Sequence, residues 1–186
     1  MNYVFSDADV LIKLVRSGLW IHFEKLINIR KWKVHIPSYV LHTEIKNKDK
    51  NVYNLLITKI ESEKIFEIDS KVESDNPITE RFINFSLHVD DGEAHVFALA
   101  ESMNAIVITD NISDLNIIKN TYNVKFKSYT LYQICYLIYK EKLLTDIQIN
   151  KHISKLVQTH DINSSDSVIR FGFQKVIFRL EKEKFD

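Results

Sequence analysis

The sequence predicts an α/β protein in which helices cover both faces of a parallel sheet. Two apolar runs, Tyr3–Phe5 and Ala105–Thr109, read as buried strands, and each leads directly into acidic residues and then into a helical pattern. Strand and helix patterns alternate through residues 1–130, an order that favours a parallel sheet. No strand is predicted beyond about Tyr129. We therefore expect one domain over residues 1–130 and a helical extension over 131–186, packed on that domain or on a partner.

The remaining elements follow from local patterns. Gly18 ends the first helix, Ser38 is placed to cap the helix after the second strand, and Pro77 begins another helix. Residues 69–76 are polar and predict a loop. The predicted helices are 9–16, 19–28, one opening at 37–38, 51–64, one from 77, 94–100, 112–121, 131–140, 147–157 and 168–183, and the further strands are 33–36, 65–68 and 124–127.

Composition limits the classes of function. The 186 residues are 45% hydrophobic with a formal net charge of zero, so any polyanion site must be a local patch or depend on a metal. Three glycines leave no room for a P-loop or a dinucleotide fingerprint. The single Cys135 is expected to be a buried thiol. The sequence has no apolar leader and no membrane-length apolar run, which predicts a soluble cytoplasmic protein without membrane contact.

Acidic residues follow both apolar runs. Asp7 comes at the end of the first strand, where ligands collect in parallel sheets, although it or Asp9 could instead cap the following helix. After the later strand come Asp110 and Asp114, which the sequence alone does not separate: one of them could bind a metal while the other caps a helix. Two acidic strand ends at one edge of a sheet suit a divalent cation.

Two helical acids complete the set. Glu93 also has a structural interpretation, since Asp90 and Glu93 match an N-terminal capping box. Glu44, taken singly, is more typical of a solvated helix residue. Four carboxylates that converge would repel one another unless they held a cation, and oxygen-only ligands favour Mg²⁺ or Mn²⁺.

A family resemblance rests on four segments in order. They are Val4-Phe5-Ser6-Asp7-Ala8-Asp9-Val10-Leu11-Ile12, then Ile36-Pro37-Ser38-Tyr39-Val40 leading to Glu44, then Asp91-Gly92-Glu93-Ala94-His95-Val96-Phe97-Ala98-Leu99-Ala100, and Val107-Ile108-Thr109-Asp110-Asn111. With these segments the chain resembles PIN-domain proteins and is similar to the VapC-type ribonuclease toxins. The resemblance covers residues 1 to about 130.

The resemblance implies a metal-dependent endoribonuclease that hydrolyses RNA phosphodiesters with Mg²⁺ or Mn²⁺. It assigns the first three acidic positions to Asp7, Glu44 and Glu93. For the fourth, the family often has Thr-x-Asp, where this chain has Asn111; the candidates are Asp110 and Asp114. Supporting residues behind the ligands would be Asp9, Thr109 and Asn111. The implied partners are an RNA substrate, an antitoxin protein and a second copy of the chain.

Basic residues beside Glu44 offer a site for RNA. Lys46 and Lys48 could guide the strand, while the structural interpretation of the Lys46, Lys48, Lys50 series is a solvated turn.

Two other functions compete with the nuclease. In a haloacid-dehalogenase-like phosphatase, Asp7 and Asp9 would be nucleophile and acid/base, and Ser38 would bind phosphate; however, no Gly-Thr follows Asp9, and Glu93 would have no role. The third hypothesis is a non-catalytic PIN-like scaffold that binds RNA or protein through its helical extension.

Overall fold

The structure, a computed structural model, describes residues 2–69 and 77–185. It has the predicted α/β class, with a five-stranded, fully parallel sheet and helices around it. The strands are β1 (Asn2–Ser6), β2 (Trp32–Pro37), β3 (Phe66–Ile68), β4 (Ile106–Ile108) and β5 (Ser128–Tyr129). The α-helices are α1 (Ala8–Ser17), α2 (Trp20–Arg30), α3 (Lys46–Lys48), α4 (Lys50–Glu61), α5 (Pro77–Ser86), α6 (Asp91–Ser102), α7 (Ile112–Tyr122), α8 (Leu131–Lys140), α9 (Asp146–Gln158), α10 (Ser167–Phe171) and α11 (Gln174–Lys182), and a π-helix covers Val40–Ile45.

The strand order is β3-β2-β1-β4-β5, so β1 lies at the centre of the sheet. Connections after β1 run towards β3, and those after β3 return across β1 towards β5. Because crossovers between parallel strands are almost always right-handed, this reversal puts α4 on one face and α5 to α7 on the other. The direction changes between β1 and β4, where Ser6 pairs with Ile108. Ligands of open α/β sheets bind at such a reversal, beyond the carboxyl ends of the strands.

Helix α6 carries acids to this edge. Small residues such as Ala94 and Ala98 let it pack closely, and its side chains from Glu93 to Ala100 are all buried. It contacts β1, β2 and β4. The small residues of α6 thus allow close packing of the helix on the sheet.

The segment after β2 differs from the prediction. Ser38 is not a cap: its hydroxyl donates to Glu67 Oε1 at 2.5 Å and to the Ile68 carbonyl at 3.2 Å. The helix that follows is a π-helix, which the spacing of apolar residues does not reveal. Lys46 and Lys48 lie on a short continuation of it, α3, rather than in a turn, and Asp49 caps α4 through two backbone N–H groups.

Two further elements are corrected. The sequence predicts the last strand at 124–127, but β5 comprises Ser128–Tyr129. The Tyr129 carbonyl accepts a hydrogen bond from the Thr109 N–H at 2.9 Å. The predicted single helix 168–183 is divided into α10 and α11 by Gly172, which has a φ of 81°. A positive φ ends a helix and favours glycine.

The chain forms two compact units. The first comprises residues 1–12 and 31–129 and contains the whole sheet; the second comprises residues 13–30 and 130–186. The second unit thus includes α2 as well as the helices after 130, and within it α8 packs against α2, α9 and α11. Ion pairs within this unit join Arg16 to Asp161 at 2.7 Å and Arg30 to Glu141 at 2.9 Å.

Three further predictions concern a loop, membrane-spanning segments and the cysteine. The predicted loop 69–76 lies outside the described residues, apart from Asp69. Over the described ranges, none of the helices has both the length and the apolar character needed to cross a bilayer. Cys135, the single cysteine of the chain, is buried, as predicted.

Candidate functional site

Asp7 lies where β1 ends and α1 begins. Its Oδ1 accepts the Val10 N–H at 2.9 Å, so Asp7 rather than Asp9 caps α1. The residue is only 8% exposed. Burial is the main reason that the pKa of Asp7 rises from 3.8 to about 7; the Thr109 hydroxyl and the Val10 N–H act in the opposite direction. Capping therefore uses one oxygen of a carboxyl group that holds a proton near neutral pH.

The end of β4 lies next to Asp7. The Asp7 N–H donates to the Ile108 carbonyl at 3.1 Å. Thr109 is fully buried; its hydroxyl hydrogen-bonds the Asp7 side chain and also accepts the Asn111 N–H at 3.0 Å. The negative charge of Asp110 is close enough to raise the pKa of Asp7 further. The two acidic strand ends do meet.

Glu93 lies in the first turn of α6 and is 7% exposed. Its N–H donates to Asp90 Oδ1 at 2.9 Å, as in a capping box. Its side chain, however, does not return to the backbone of the capping residue. Instead it hydrogen-bonds Asp114, and the Glu93 Oε2 atom is buried without a hydrogen-bond partner among the described residues. Only half of the predicted capping box exists, and the Glu93 carboxyl group points to the other acids.

The pKa of Glu93 rises from 4.5 to about 8. Burial is the largest cause, followed by the hydrogen bond to Asp114 and the negative charges of Asp90, Asp114 and Asp7. A hydrogen bond between two carboxyl groups needs a proton, and the raised pKa of Glu93 favours protonation of Glu93 near neutral pH.

Asp114 is oriented by Asn111. Asn111 is the N-cap of α7, and its side-chain nitrogen donates to Asp114 Oδ2 at 2.7 Å. Asp110 and Asp114 are thus both brought to the edge, Asp110 near Asp7 and Asp114 against Glu93. We call Asp7, Glu93, Asp110 and Asp114 the inner acids.

Glu44 approaches the edge from the π-helix. Its Oε1 occupies the space that a Cβ at residue 92 would take. Burial, together with the negative charges of Asp90, Asp9 and Asp91, raises the pKa of Glu44, while Lys48 opposes this rise. Because Gly92 directly precedes Glu93, Glu44 reaches the first turn of the helix that carries an inner acid. π-helical turns are rare and frequent at functional sites.

We call Asp9 and Glu44 the outer acids, and both lie next to the ammonium group of Lys48. Lys48 Nζ donates to Asp9 Oδ1 at 2.9 Å and lies 3.9 Å from Glu44 Oε2. The Asp9 side chain is 62% exposed. Lys46 is placed differently, with its Nζ 5.5 Å from the centre of the Tyr53 ring. Of the two lysines predicted to guide RNA, Lys48 contacts the acids.

The donors fit a hard divalent cation by their chemistry. All are oxygens, two buried carboxyl groups hold protons near neutral pH, and one buried oxygen of Glu93 has no partner in the described part of the chain. Yet no group of three or more His, Cys, Asp or Glu side chains within residues 2–69 and 77–185 has the arrangement of a formed metal site. Binding of a cation would therefore require side-chain movement and loss of protons.

Sequence reasoning missed two contributors. Asp90 was assigned only to a cap, but its charge also raises the pKa values of Glu44 and Glu93. Gly92 was not singled out, although its missing side chain makes room for Glu44. A glycine in the first helical turn, immediately before an acid, is the signal that points to such close approach.

Comparisons with known proteins add no family. No protein-family model matches this chain, and a search of curated proteins finds no significant match.

Proposed function

We propose that the protein is an endoribonuclease that hydrolyses RNA phosphodiesters with Mg²⁺ or Mn²⁺. The observation that carries the proposal is the convergence of Asp7, Glu93, Asp110 and Asp114 at the point where the direction of the sheet reverses. Asp7 and Glu93 are buried, and their pKa values are raised to about 7 and about 8. Strongly raised pKa values of acids at the carboxyl edge of a parallel sheet are typical of functional sites.

The cation would be held by inner acids. Asp7 and Glu93 would contribute a carboxylate each, with Asp110 or Asp114 beside them and Glu44 approaching from the π-helix. When bound, Mg²⁺ or Mn²⁺ offsets negative charge on the phosphodiester and orients water for in-line attack. The ligand set contains only oxygen, which favours these ions over zinc.

The residues of the chain itself have distinct roles in this proposal. Thr109 and Asn111 orient Asp7 and Asp114 through the hydrogen bonds described above. Glu93 and Asp7 release protons as the cation binds, so that cation affinity rises with pH. Lys48 holds Asp9 beside the site and offers a positive charge to an incoming phosphate.

We also propose a PIN-like identity, with a VapC-type toxin as its most specific form. The four sequence segments and the parallel sheet with its central β1 support this. In that form the partners would be RNA, an antitoxin protein and a second copy of the chain, in the cytoplasm. A non-catalytic PIN-like scaffold remains the principal alternative.

One observation weakens the phosphatase alternative. The Ser38 hydroxyl, which would bind phosphate, donates to Glu67 and to the Ile68 carbonyl. Those bonds would have to break before Ser38 could receive a phosphate.

The test is cleavage of a mixed-sequence single-stranded RNA by purified protein, in Mn²⁺ and in EDTA. Asp7→Asn removes an inner charge but keeps a side chain that can cap α1. Glu61→Gln is the matched control, because Glu61 is an exposed acid at the end of α4 in the same unit.

The proposal expects cleavage in Mn²⁺ by the wild type and by Glu61→Gln, and none in EDTA or by Asp7→Asn. Folded protein that binds RNA but does not cut it in any divalent metal would support the scaffold. Metal-dependent hydrolysis of a small phosphomonoester, with none of RNA, would support the phosphatase.

A further inference from the structure

The two compact units carry opposite charge. The helical unit, residues 13–30 and 130–186, has 13 Lys and Arg against 8 Asp and Glu, a formal net charge of +5. The sheet unit has 12 against 17, a net charge of −5. The neutral total therefore conceals a basic unit and an acidic one. A polyanionic substrate is repelled by the net charge of the unit that contains the acids and attracted by the other.

Three of the 13 basic residues of the helical unit lie along one side of α11. Lys175, Phe178, Arg179 and Lys182 follow i, i+3, i+4, i+7 spacing, which puts them on one side of the helix. The opposite side, with Val176, Ile177 and Leu180, is buried. Phe178 is 71% exposed. An aromatic ring thus stands in water among three cations.

A second exposed aromatic ring lies just before α11. Phe171 is 58% exposed. Lys175 Nζ is 4.4 Å from the centre of its ring, and Arg170 Cζ is 5.3 Å away. These distances are those of cation–π contacts. We call the set Arg170, Phe171, Lys175, Phe178, Arg179 and Lys182 the basic–aromatic surface.

The cations of this surface are not neutralised by the chain. Over residues 2–69 and 77–185, no ion pair involves Arg170, Lys175, Arg179 or Lys182. Elsewhere in the same unit, Arg16 and Arg30 do have acidic partners. The unpaired cations of this surface surround two exposed rings, where an external anion can reach them.

We propose that the basic–aromatic surface binds single-stranded RNA. The four cations contact phosphates, while Phe171 and Phe178 stack on unpaired bases, the combination used by proteins that bind single strands. This inference rests on the proposed function and deepens it, because it assigns substrate capture to the basic unit and hydrolysis to the acidic one. An acidic polypeptide would match the charge but would leave the rings without a base to stack on.

Binding is measured by fluorescence anisotropy with a labelled 20-nucleotide single-stranded RNA and the full chain in EDTA. EDTA suppresses cleavage, so affinity is measured independently of hydrolysis. One variant combines Phe171→Ala with Phe178→Ala, and another combines Lys175→Gln, Arg179→Gln and Lys182→Gln. Circular dichroism and thermal midpoints verify that both remain folded; the altered side chains are exposed.

Each variant has a control within the helical unit. Ile147→Ala removes an apolar side chain that is 74% exposed but cannot stack. The combination Lys25→Gln, Lys142→Gln and Lys151→Gln removes the same charge from other exposed positions. These controls separate a defined surface from general hydrophobicity and net charge.

Loss of the two rings is expected to weaken binding roughly tenfold per ring. Loss of the three cations is expected to reduce the slope of log Kd against log salt by about 2, since each phosphate contact on a single strand contributes about 0.7. Double-stranded RNA of the same length is expected to lose little affinity on removal of the rings, because its bases are paired.

Equal weakening by the surface variants and their controls would overturn the inference, as would tight binding of a poly-Glu peptide with no binding of RNA. The two proposals fail separately. Surface-dependent binding without cleavage in Mn²⁺ contradicts only the nuclease, whereas cleavage that is unchanged by loss of the surface contradicts only this inference.

Discussion

The inner and outer acids lie at the same edge of the sheet but differ in what offsets their charge. Among the outer acids, Asp9 and Glu44 have Lys48 between them at 2.9 and 3.9 Å. The inner acids Asp7 and Glu93 are buried, and they have acidic rather than basic neighbours. The fold therefore supplies one positive charge to the outer pair, while the inner group requires a proton or a cation from solution.

Removing an inner charge is expected to have the largest effect. Glu93→Gln keeps the shape of the side chain and can still donate to Asp114, but it removes a proposed ligand of the cation. We expect RNA cleavage in Mn²⁺ to fall about 10²–10³-fold, the range found when a charge-stabilising group of an active site is removed. Asp9→Asn, the outer counterpart, should cost less than tenfold. Similar losses from both substitutions would contradict the distinction between the two groups.

The raised pKa values make stability depend on pH. Between about pH 4 and 8 the folded protein binds more protons at Asp7 and Glu93 than the unfolded chain does, so in EDTA the free energy of unfolding should fall as pH rises. This stabilisation is complete below about pH 4 and is lost through pH 7 and 8. At about 1.4 kcal/mol per pKa unit, the total is on the order of several kcal/mol.

Urea unfolding across this pH range measures the effect, and Glu93→Gln should flatten the profile. Addition of Mn²⁺ should restore more stability at pH 8 than at pH 5, because protons compete with the cation. A stability profile that rises from pH 4 to 8 in EDTA would contradict the assigned protonation.

Gly92→Ala tests the role of the outer acids, because it displaces Glu44. The new Cβ would meet Glu44 Oε1, so the flexible end of Glu44 must move away. Alanine in a helix is favoured over glycine by up to about 1 kcal/mol, so the thermal midpoint should stay or rise. Cleavage should fall about 10- to 100-fold, because misplaced groups at an active site are costly.

Glu44→Gln gives the matched comparison. If Gly92→Ala acts by moving Glu44, the double variant should be no worse than Glu44→Gln alone. Full additivity of the two losses would show that Gly92 acts by another route.

Lys48→Met is expected to have the smallest effect. The Lys48 side chain is 49% exposed, and exposed ion pairs contribute about 0–1 kcal/mol, so the free energy of unfolding should change little. The KM for RNA should rise a few-fold with kcat nearly constant, since one positive charge near the phosphate is lost. Lys50→Met, which changes the neighbouring exposed lysine at the start of α4, is the control and should alter neither parameter.

Much of the edge could be predicted from the sequence because strand ends are local features. An apolar run followed by Asp7, and another followed by Asp110, suffices to predict parallel strands that end in acids. Asp90 as the N-cap of α6 and the bounds of α8 are likewise local and are confirmed. These features depend on neighbours in sequence, so periodicity and capping rules apply.

The remaining features depend on tertiary contacts. The sequence could not distinguish the roles of Asp110 and Asp114, because these depend on tertiary contacts. Asp110 lies near Asp7, whereas Asp114 contacts Glu93. The π-helix has no distinct apolar period. Helix α2 belongs to the helical unit because it packs against α8. The two helices are far apart along the chain, so local sequence patterns do not predict this contact.

Mn²⁺ titration calorimetry at pH 7, in buffers of different ionisation enthalpy, tests most directly the claim that the inner acids need an external cation. With pKa values of about 7 and about 8 for Asp7 and Glu93, we expect Mn²⁺ to bind with release of about one proton or more. Asp7→Asn should weaken binding and release fewer protons. The claim would be contradicted if the wild type did not bind Mn²⁺, or if Asp7→Asn bound it equally well with the same proton release.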